Sequence, residues 1–237
     1  MKVLFIGNSH TYMNDMPALF AELMKETAKE ETEAVMLAYS GRSLSWHRAE
    51  YFSIRYQLLY GGFDYCVIQQ AAHPFPDVSE TMQAGKELTD LCLKCGVKPV
   101  LFMTWAEKAY PEHQKIMSDT YRKLAEETGA LLAPVGEVFE NVRMKYPEIE
   151  LYYKDGEHAS VLGDFLAASV ITAVLSGTDQ IECPPELPDY GVNFDDPQHP
   201  YALLDKHEIF RKADRESAEK ILSVIREGGY CNDLQKM

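Results

Sequence analysis

Apolar residues in this chain fall into short unbroken runs, separated by longer stretches where apolar positions recur every three or four residues. The runs Lys2–Ile6, Glu33–Tyr39, Tyr65–Gln69, Pro99–Thr104 and Leu131–Pro134 are apolar on consecutive positions rather than alternating ones. Strands covered on both faces read this way. Between the runs lie helical patterns: Met16–Lys29, Ser43–Tyr60, Val78–Cys95, Glu112–Thr128, Gly136–Tyr146 and Ser160–Leu175. Asp15 is placed to cap the first of these, with Pro17 in its first turn. Strand–helix alternation predicts an α/β fold: a flavodoxin-like, doubly wound parallel sheet of about five strands in a three-layer α/β/α sandwich. Ligands of such sheets bind beyond the carboxyl ends of the strands. Ser9, Gly41, the segment Gln69–His73 and Trp105 all fall just past predicted strand ends, so they share one rim.

The chain reads as one domain over 1–237. It includes a Pro- and Asp-rich loop, Cys183–Pro200, and a final amphipathic helix over 206–227 that packs back onto the domain. Composition narrows the function classes. A 46% hydrophobic share supports a full core, and a formal net charge of −14 argues against nucleic acid and anionic membranes as partners. The apolar run after Lys2 is too short for a secretory segment, and no apolar stretch approaches the ~20 residues of a membrane span. Five cysteines, an odd number in a chain of this size, argue against a disulfide framework. A cytoplasmic protein with reduced thiols is expected. Cys92 and Cys95 have C-x-x-C spacing but sit at a predicted helix end with no second pair, which suits neither a zinc site nor a redox motif.

Two segments carry candidate chemistry. Gly7-Asn8-Ser9-His10-Thr11 follows the first strand, and Asp155-Gly156-Glu157-His158 precedes the helical run from Ser160. A serine hydroxyl needs a base to become a nucleophile, and a histidine base needs an acid to hold its ring. Ser9, His158 and Asp155 supply those three parts. Gly7 permits close backbone approach after the strand, and the Ser9 N–H opens toward the helix that follows. The Gly41 N–H could serve as a second oxyanion donor. Gln69, Gln70 and His73 are candidates for a third. Taken singly, each of these residues is equally an ordinary turn or capping residue. His10, His47, His73, His113, His199 and His207 compete with His158 as base, but none has a carboxylate at comparable spacing.

Together these residues resemble the SGNH/GDSL hydrolase superfamily, whose nucleophile lies in a G-[DN]-S turn after the first strand. That superfamily has a Gly after the second strand, an Asn after the third and a D-x-x-H block near the end. Gly7-Asn8-Ser9, Gly41 and Asp155-x-x-His158 match the first, second and last blocks. The intact Met103-Thr104-Trp105-Ala106 is similar to a poorly characterised bacterial branch that begins G-N-S-F-T. His10 stands where that branch has Phe, and Ala159 where it has Pro. No Asn occupies the third block. The pattern Val67-Ile68-Gln69 favours Gln69 as the donor, whereas counting strand length favours His73.

The resemblance implies ester hydrolysis through an acyl-enzyme. Ser9 would attack, His158 shuttle the proton and Asp155 orient His158, with no metal or organic cofactor. The substrate would be a small-molecule ester, a short acyl or acetyl group, with carbohydrate as one carrier. Trp105, Trp46 and Tyr110 could stack on a sugar face or could equally be packing residues. Two rival readings are a phosphate or nucleotide binder using the Gly7–Thr11 turn, and a non-catalytic carbohydrate- or anion-binding relative. The first lacks any G-x-x-x-x-G-K-[ST] or G-x-G-x-x-G motif.

Overall fold

The computed structural model describes residues 1–188, 210–212 and 214–231. Strands β1 (Lys2–Gly7), β2 (Glu33–Ala38), β3 (Tyr65–Gln69), β4 (Lys98–Phe102) and β5 (Leu131–Ala133) pair in parallel in the order β2-β1-β3-β4-β5. The helices are α1 (Ser9–Tyr12), α2 (Met16–Ala28), α3 (Leu44–Ala49), α4 (Tyr51–Tyr60), α5 (Val78–Lys94), α6 (His113–Thr128), α7 (Val135–Lys145), α8 (Val161–Ser176) and α9 (Arg215–Gly228).

Side chains of a strand point alternately to opposite faces, so an unbroken apolar run feeds two cores. Val3, Phe5, Val67, Val100 and Phe102 face one side and pack with α2, α7, α8 and α9. Leu4, Ile6, Cys66, Ile68 and Leu101 face the other and pack with α3 to α6. The result is a five-stranded, three-layer α/β/α sandwich. Helix α8 is buried all round from Gly163 to Leu175, packed against α2, α7 and α9. That burial explains its lack of an apolar stripe.

Several expectations change. β2 is an edge strand, so its run is only partly covered and Met36 is 41% exposed. The helical pattern over Ser43–Tyr60 is two helices, broken at Glu50 (φ −80°, ψ 34°), where the turn tightens. Asp15 precedes α2 but is left-handed and makes no side-chain cap bond, while Pro17 does occupy the first turn. The final helix begins at Arg215, not at 206. Asp214 Oδ1 caps it by accepting from Ser217 N at 3.2 Å. Ahead of it, β7 (Phe210–Lys212) pairs antiparallel with β6 (Glu186–Pro188), so part of the expected Pro-rich loop is strand. Residues 189–200 and 206–209 of these segments, with His199 and His207, lie outside the described residues. Cys92 and Cys95 close α5 with free thiols. Burial pushes the thiol of Cys66, which is hydrogen-bonded to Cys92, well up, and this suits inert packing residues. Among the described residues, no helix is long and apolar enough to cross a membrane.

Ile171 lies in the centre of α8 with no exposed surface. Ile171→Ala should cost about 2–5 kcal/mol of unfolding free energy, read as a lower denaturant midpoint at unchanged slope.

Candidate active site

β1 lies between β2 and β3, where strand order reverses, so the connections leaving β1 and β3 run to opposite faces and open a crevice at their carboxyl ends. Ser9 stands there, one residue after Asn8, which leaves β1 extended (φ −141°, ψ −150°) and caps α1. Asn8 Oδ1 accepts from His10 N at 3.0 Å, and Asn8 Nδ2 donates to Arg42 O at 3.1 Å, tying this turn to the loop after β2. Gly41 lies in that loop with φ +66° and open space where a Cβ would be, so glycine serves its dihedrals. At Gly7 the constraint is space. A Cβ there would come within 2.3 Å of Gln69 Oε1 and 2.4 Å of Thr11 Oγ1.

The Asp–His segment is a small hairpin after α7. Tyr152 and Ala159 form an antiparallel bridge, Tyr153 N donates to His158 O at 2.8 Å, and Gly156 takes the turn at φ +75°. Its outer strand is pinned to the segment after β4. Trp105 Nε1 donates to Glu157 O at 2.8 Å, and Lys108 N donates to Gly156 O at 2.8 Å.

These two segments meet. His158 Nε2 is 2.8 Å from Ser9 Oγ, and His158 Nδ1 is 2.8 Å from Asp155 Oδ2. Asp155 Oδ1 also accepts from Glu157 N at 2.9 Å and His158 N at 3.0 Å. Partial burial pushes the Asp155 carboxyl up. The Glu157 N–H, the His158 ring and the His158 N–H outweigh it and hold the carboxyl below its usual value. The His158 and Asp155 side chains keep 23% and 36% exposure, so the group faces an open cleft.

His10, one of the competing histidines, stacks on the His158 ring at 5.0 Å and 27°. Burial drives its pKa well below the ordinary value, with His73 and His158 pushing the same way, so it is a neutral wall of the site. His47 is also spoken for, donating from Nε2 to Gly7 O at 2.8 Å beneath the serine turn.

The third-block candidates do not line the cleft. Gln69 is fully buried. Its Oε1 accepts from Asn8 N at 2.8 Å and Thr11 Oγ1 at 3.0 Å, and its Nε2 donates to Gln70 O. Gln70 is equally buried and holds Leu44 N and Ala71 N at 2.8 Å each, and Thr81 Oγ1 at 2.9 Å. His73 Nδ1 donates to Glu107 Oε2 at 3.0 Å, and only 4% of its side chain is exposed. The three are braces, because each polar edge already has a backbone or side-chain partner or is closed off from solvent.

Trp105 is likewise not a stacking surface. It is 1% exposed and lies flat on Phe139 at 4.7 Å and 8°. Trp46 does sit on the rim, half-buried between Tyr39 at 5.0 Å and the Arg42 guanidinium at 5.3 Å. Tyr110 is exposed against His113 at 5.4 Å, and His113 reaches Glu107 Oε1 at 3.2 Å.

Asn14 and Asp164 belong to no motif that would single them out. Asn14 (φ 47°) and Asp15 (φ 51°) are consecutive left-handed residues between α1 and α2. Such residues cost on the order of 1–3 kcal/mol each when not glycine. Asn14 Nδ2 donates to Asp164 Oδ2 at 2.7 Å and Ala159 O at 3.4 Å. Asp164 is wholly buried, and burial pushes its carboxyl well above the ordinary value, the Asn14 amide only partly offsetting it. An acid in the first turn of a helix reads in sequence as a complement to the helix dipole, which hid this contact.

The comparisons with known proteins follow this geometry. The sequence matches no protein-family model and no curated protein. Solved structures do match. A protein from Slackia heliotrinireducens assigned as an SGNH hydrolase is similar at 26% identity and TM-score 0.64, over 74% of this chain and 98% of that one. An acetylxylan esterase from Geobacillus stearothermophilus follows at 16% identity and TM-score 0.63, over 77% of this chain and 97% of its own. A lipase/acylhydrolase from Enterococcus faecalis has 12% identity and TM-score 0.62, over 76% and 97%. The chain thus shares the fold of SGNH/GDSL hydrolases and is similar to them over about three quarters of its length. Within this fold the buried pair Gln69 and Gln70 stands at the carboxyl end of β3, Gln69 closing the strand and Gln70 following it.

Two outcomes test these contacts. Gln69→Ala leaves the Asn8 N–H and the Thr11 hydroxyl without their buried acceptor, so it should cost about 1–3 kcal/mol per orphaned group in denaturant unfolding. Burial raises the folded pKa of Asp164 above its unfolded one, so the group lends stability below its unfolded pKa and loses it as pH rises through the folded one. Melting temperatures of Asp164→Asn and wild type should therefore diverge in the variant's favour from pH 4 to pH 8.

Proposed function

We propose that the protein is a serine esterase that works through an acyl-enzyme. The observation that carries this reading is the unbroken line Ser9 Oγ, His158 Nε2, His158 Nδ1, Asp155 Oδ2, with 2.8 Å at both hydrogen bonds. An ionised Asp155 accepts the Nδ1–H, which leaves the Nε2 lone pair facing the serine hydroxyl. His158 takes that proton as Ser9 Oγ bonds to the ester carbonyl carbon. The resulting imidazolium is held by Asp155 and returns the proton to the leaving alcohol oxygen. Water, deprotonated by the same Nε2, then releases the acid and restores the serine.

Charge on the carbonyl oxygen needs donors. The Ser9 N–H belongs to the first turn of a helix, where no intrahelical acceptor exists, and the Gly41 N–H is the second donor. With Gln69, Gln70 and His73 engaged elsewhere, the oxyanion site is built from backbone alone. One missing donor is typically worth ~10²–10³ in rate, so a modest turnover number is expected.

For substrate class we infer a short acyl ester, with an acetylated carbohydrate as the preferred carrier. The acetylxylan esterase among the similar structures supports this, as does the aromatic rim of Tyr39 and Trp46 with Arg42 beside it, a surface suited to a sugar face.

Hydrolysis of p-nitrophenyl acetate by wild type, Ser9→Ala and Asp155→Asn provides the test. Ser9→Ala and Asp155→Asn should each lower kcat by about 10³-fold or more with the fold intact, and a fluorophosphonate should label wild type at Ser9 alone. Turnover surviving in clean Ser9→Ala would sink the assignment. A wild type that neither turns over nor labels would point to a binding relative.

A further inference from the structure

The two halves of the proposed triad are far apart in sequence, Ser9 and His158 being 149 positions apart. Their relative position depends on whatever holds the segment after Ser9 against the segment after His158. Asn14 is five residues beyond Ser9, and Ala159 and Asp164 are one and six beyond His158. Between these segments runs the Asn14 side-chain amide, 2.7 Å from Asp164 Oδ2 and 3.4 Å from Ala159 O. Asp164 is fully buried. Asn14 is 9% exposed and held left-handed to aim its amide there.

Resting on the triad reading above, we propose that Asn14 and Asp164 form a strap that positions His158 against Ser9. They are positioning residues, since neither reaches the reacting atoms. Two features separate this contact from ordinary packing. The first is its reach: the amide grips the carbonyl of the residue that directly follows His158 as well as the first turn of α8. The second is the backbone. Asn14 and Asp15 keep consecutive left-handed conformations, which Asn tolerates and most residues do not. The segment therefore keeps an uncommon shape in which the amide faces Asp164. An apolar side chain would fill the same space without holding the Ala159 carbonyl. Asp164 Oδ1 has no partner among the described residues, so the carboxyl serves the amide alone.

Asn14→Gly gives the cleanest test, because glycine adopts the left-handed backbone without strain while removing the amide. It is compared with Asp164→Ala, the double variant and Asp164→Asn, which keeps an acceptor for the Asn14 amide. Folding is checked by circular dichroism, and kcat and KM are read on p-nitrophenyl acetate. Asn14→Gly and Asp164→Ala should each lower kcat ~tenfold or more with KM within about twofold, as expected for reacting groups displaced from register. The double variant should be no worse than either single one, and Asp164→Asn should recover kcat to within about threefold of wild type. A folded Asn14→Gly with wild-type kcat, a loss confined to KM, or additive losses would overturn the strap. If Asp164→Ala does not fold, Asn14→Gly and Asp164→Asn decide alone.

The NMR signal of the His158 ring separates this proposal from the esterase reading. Should wild type show neither turnover nor fluorophosphonate labelling, the esterase reading fails. The strap then stands if that signal moves in Asn14→Gly and not in Asp164→Asn, and falls if it is unmoved in both.

Discussion

A parallel sheet delivers its strands to the rim with every backbone donor beyond the last pairing still unsatisfied, and each such donor needs a partner before a side chain there can be held still. At the end of β1 that partner is the Gln69 side chain. One carbonyl oxygen takes both the Asn8 N–H and the Thr11 hydroxyl, flanking Ser9 on either side, and the absence of a Cβ on Gly7 makes the approach possible. Because Gln69 ends β3, the turn is referenced to the neighbouring strand rather than to its own. Gln70 repeats the device one residue on, holding the start of α3 and with it the loop that contains Gly41. The rim is thus built around two adjacent buried amides.

The second half of the site rests on different physics. The hairpin carrying Asp155 and His158 has little core of its own and is pinned by an indole N–H, a backbone N–H and the Tyr152 hydroxyl, which donates to Ala106 O at 2.7 Å. Trp105 can do this because its ring is locked flat on Phe139. A residue that resembles a sugar platform is therefore part of the scaffold that aims a histidine. The His10 ring fills the space between His158 and Trp105, which explains why a small neutral aromatic suits that position.

How much of this the chain disclosed depended on whether the signal was local. Consecutive apolar residues such as Val3 to Ile6 announce a strand covered on both faces, and the doubly wound parallel sheet of about five strands followed from the intervening helices. The run at β2 carried the same signal, and its edge position could not be read from composition. Ser9, Asp155 and His158 were legible as motif spacings. Gln69 was legible as a strand-end amide but not in its role, because an amide facing the cleft and one facing the backbone have the same sequence. Asn14 and Asp164 are 150 residues apart and meet only in the folded chain, so no window of sequence contains their relation. Phe210–Lys212 is too short for its period to be told from a helix start.

The separation between Ser9 and His158 has a consequence for how the molecule comes into being. Ser9 directly follows β1, whereas its ring partner comes after β5 and α7. Loop-closure entropy over so long a span is recovered only once the sheet and α8 have docked. A nascent chain therefore carries Ser9 without the His158 ring beside it until the segments through α7 have been made. The Ser9–His158 contact and the native sandwich then arise in the same event, and that contact becomes a report on folding itself.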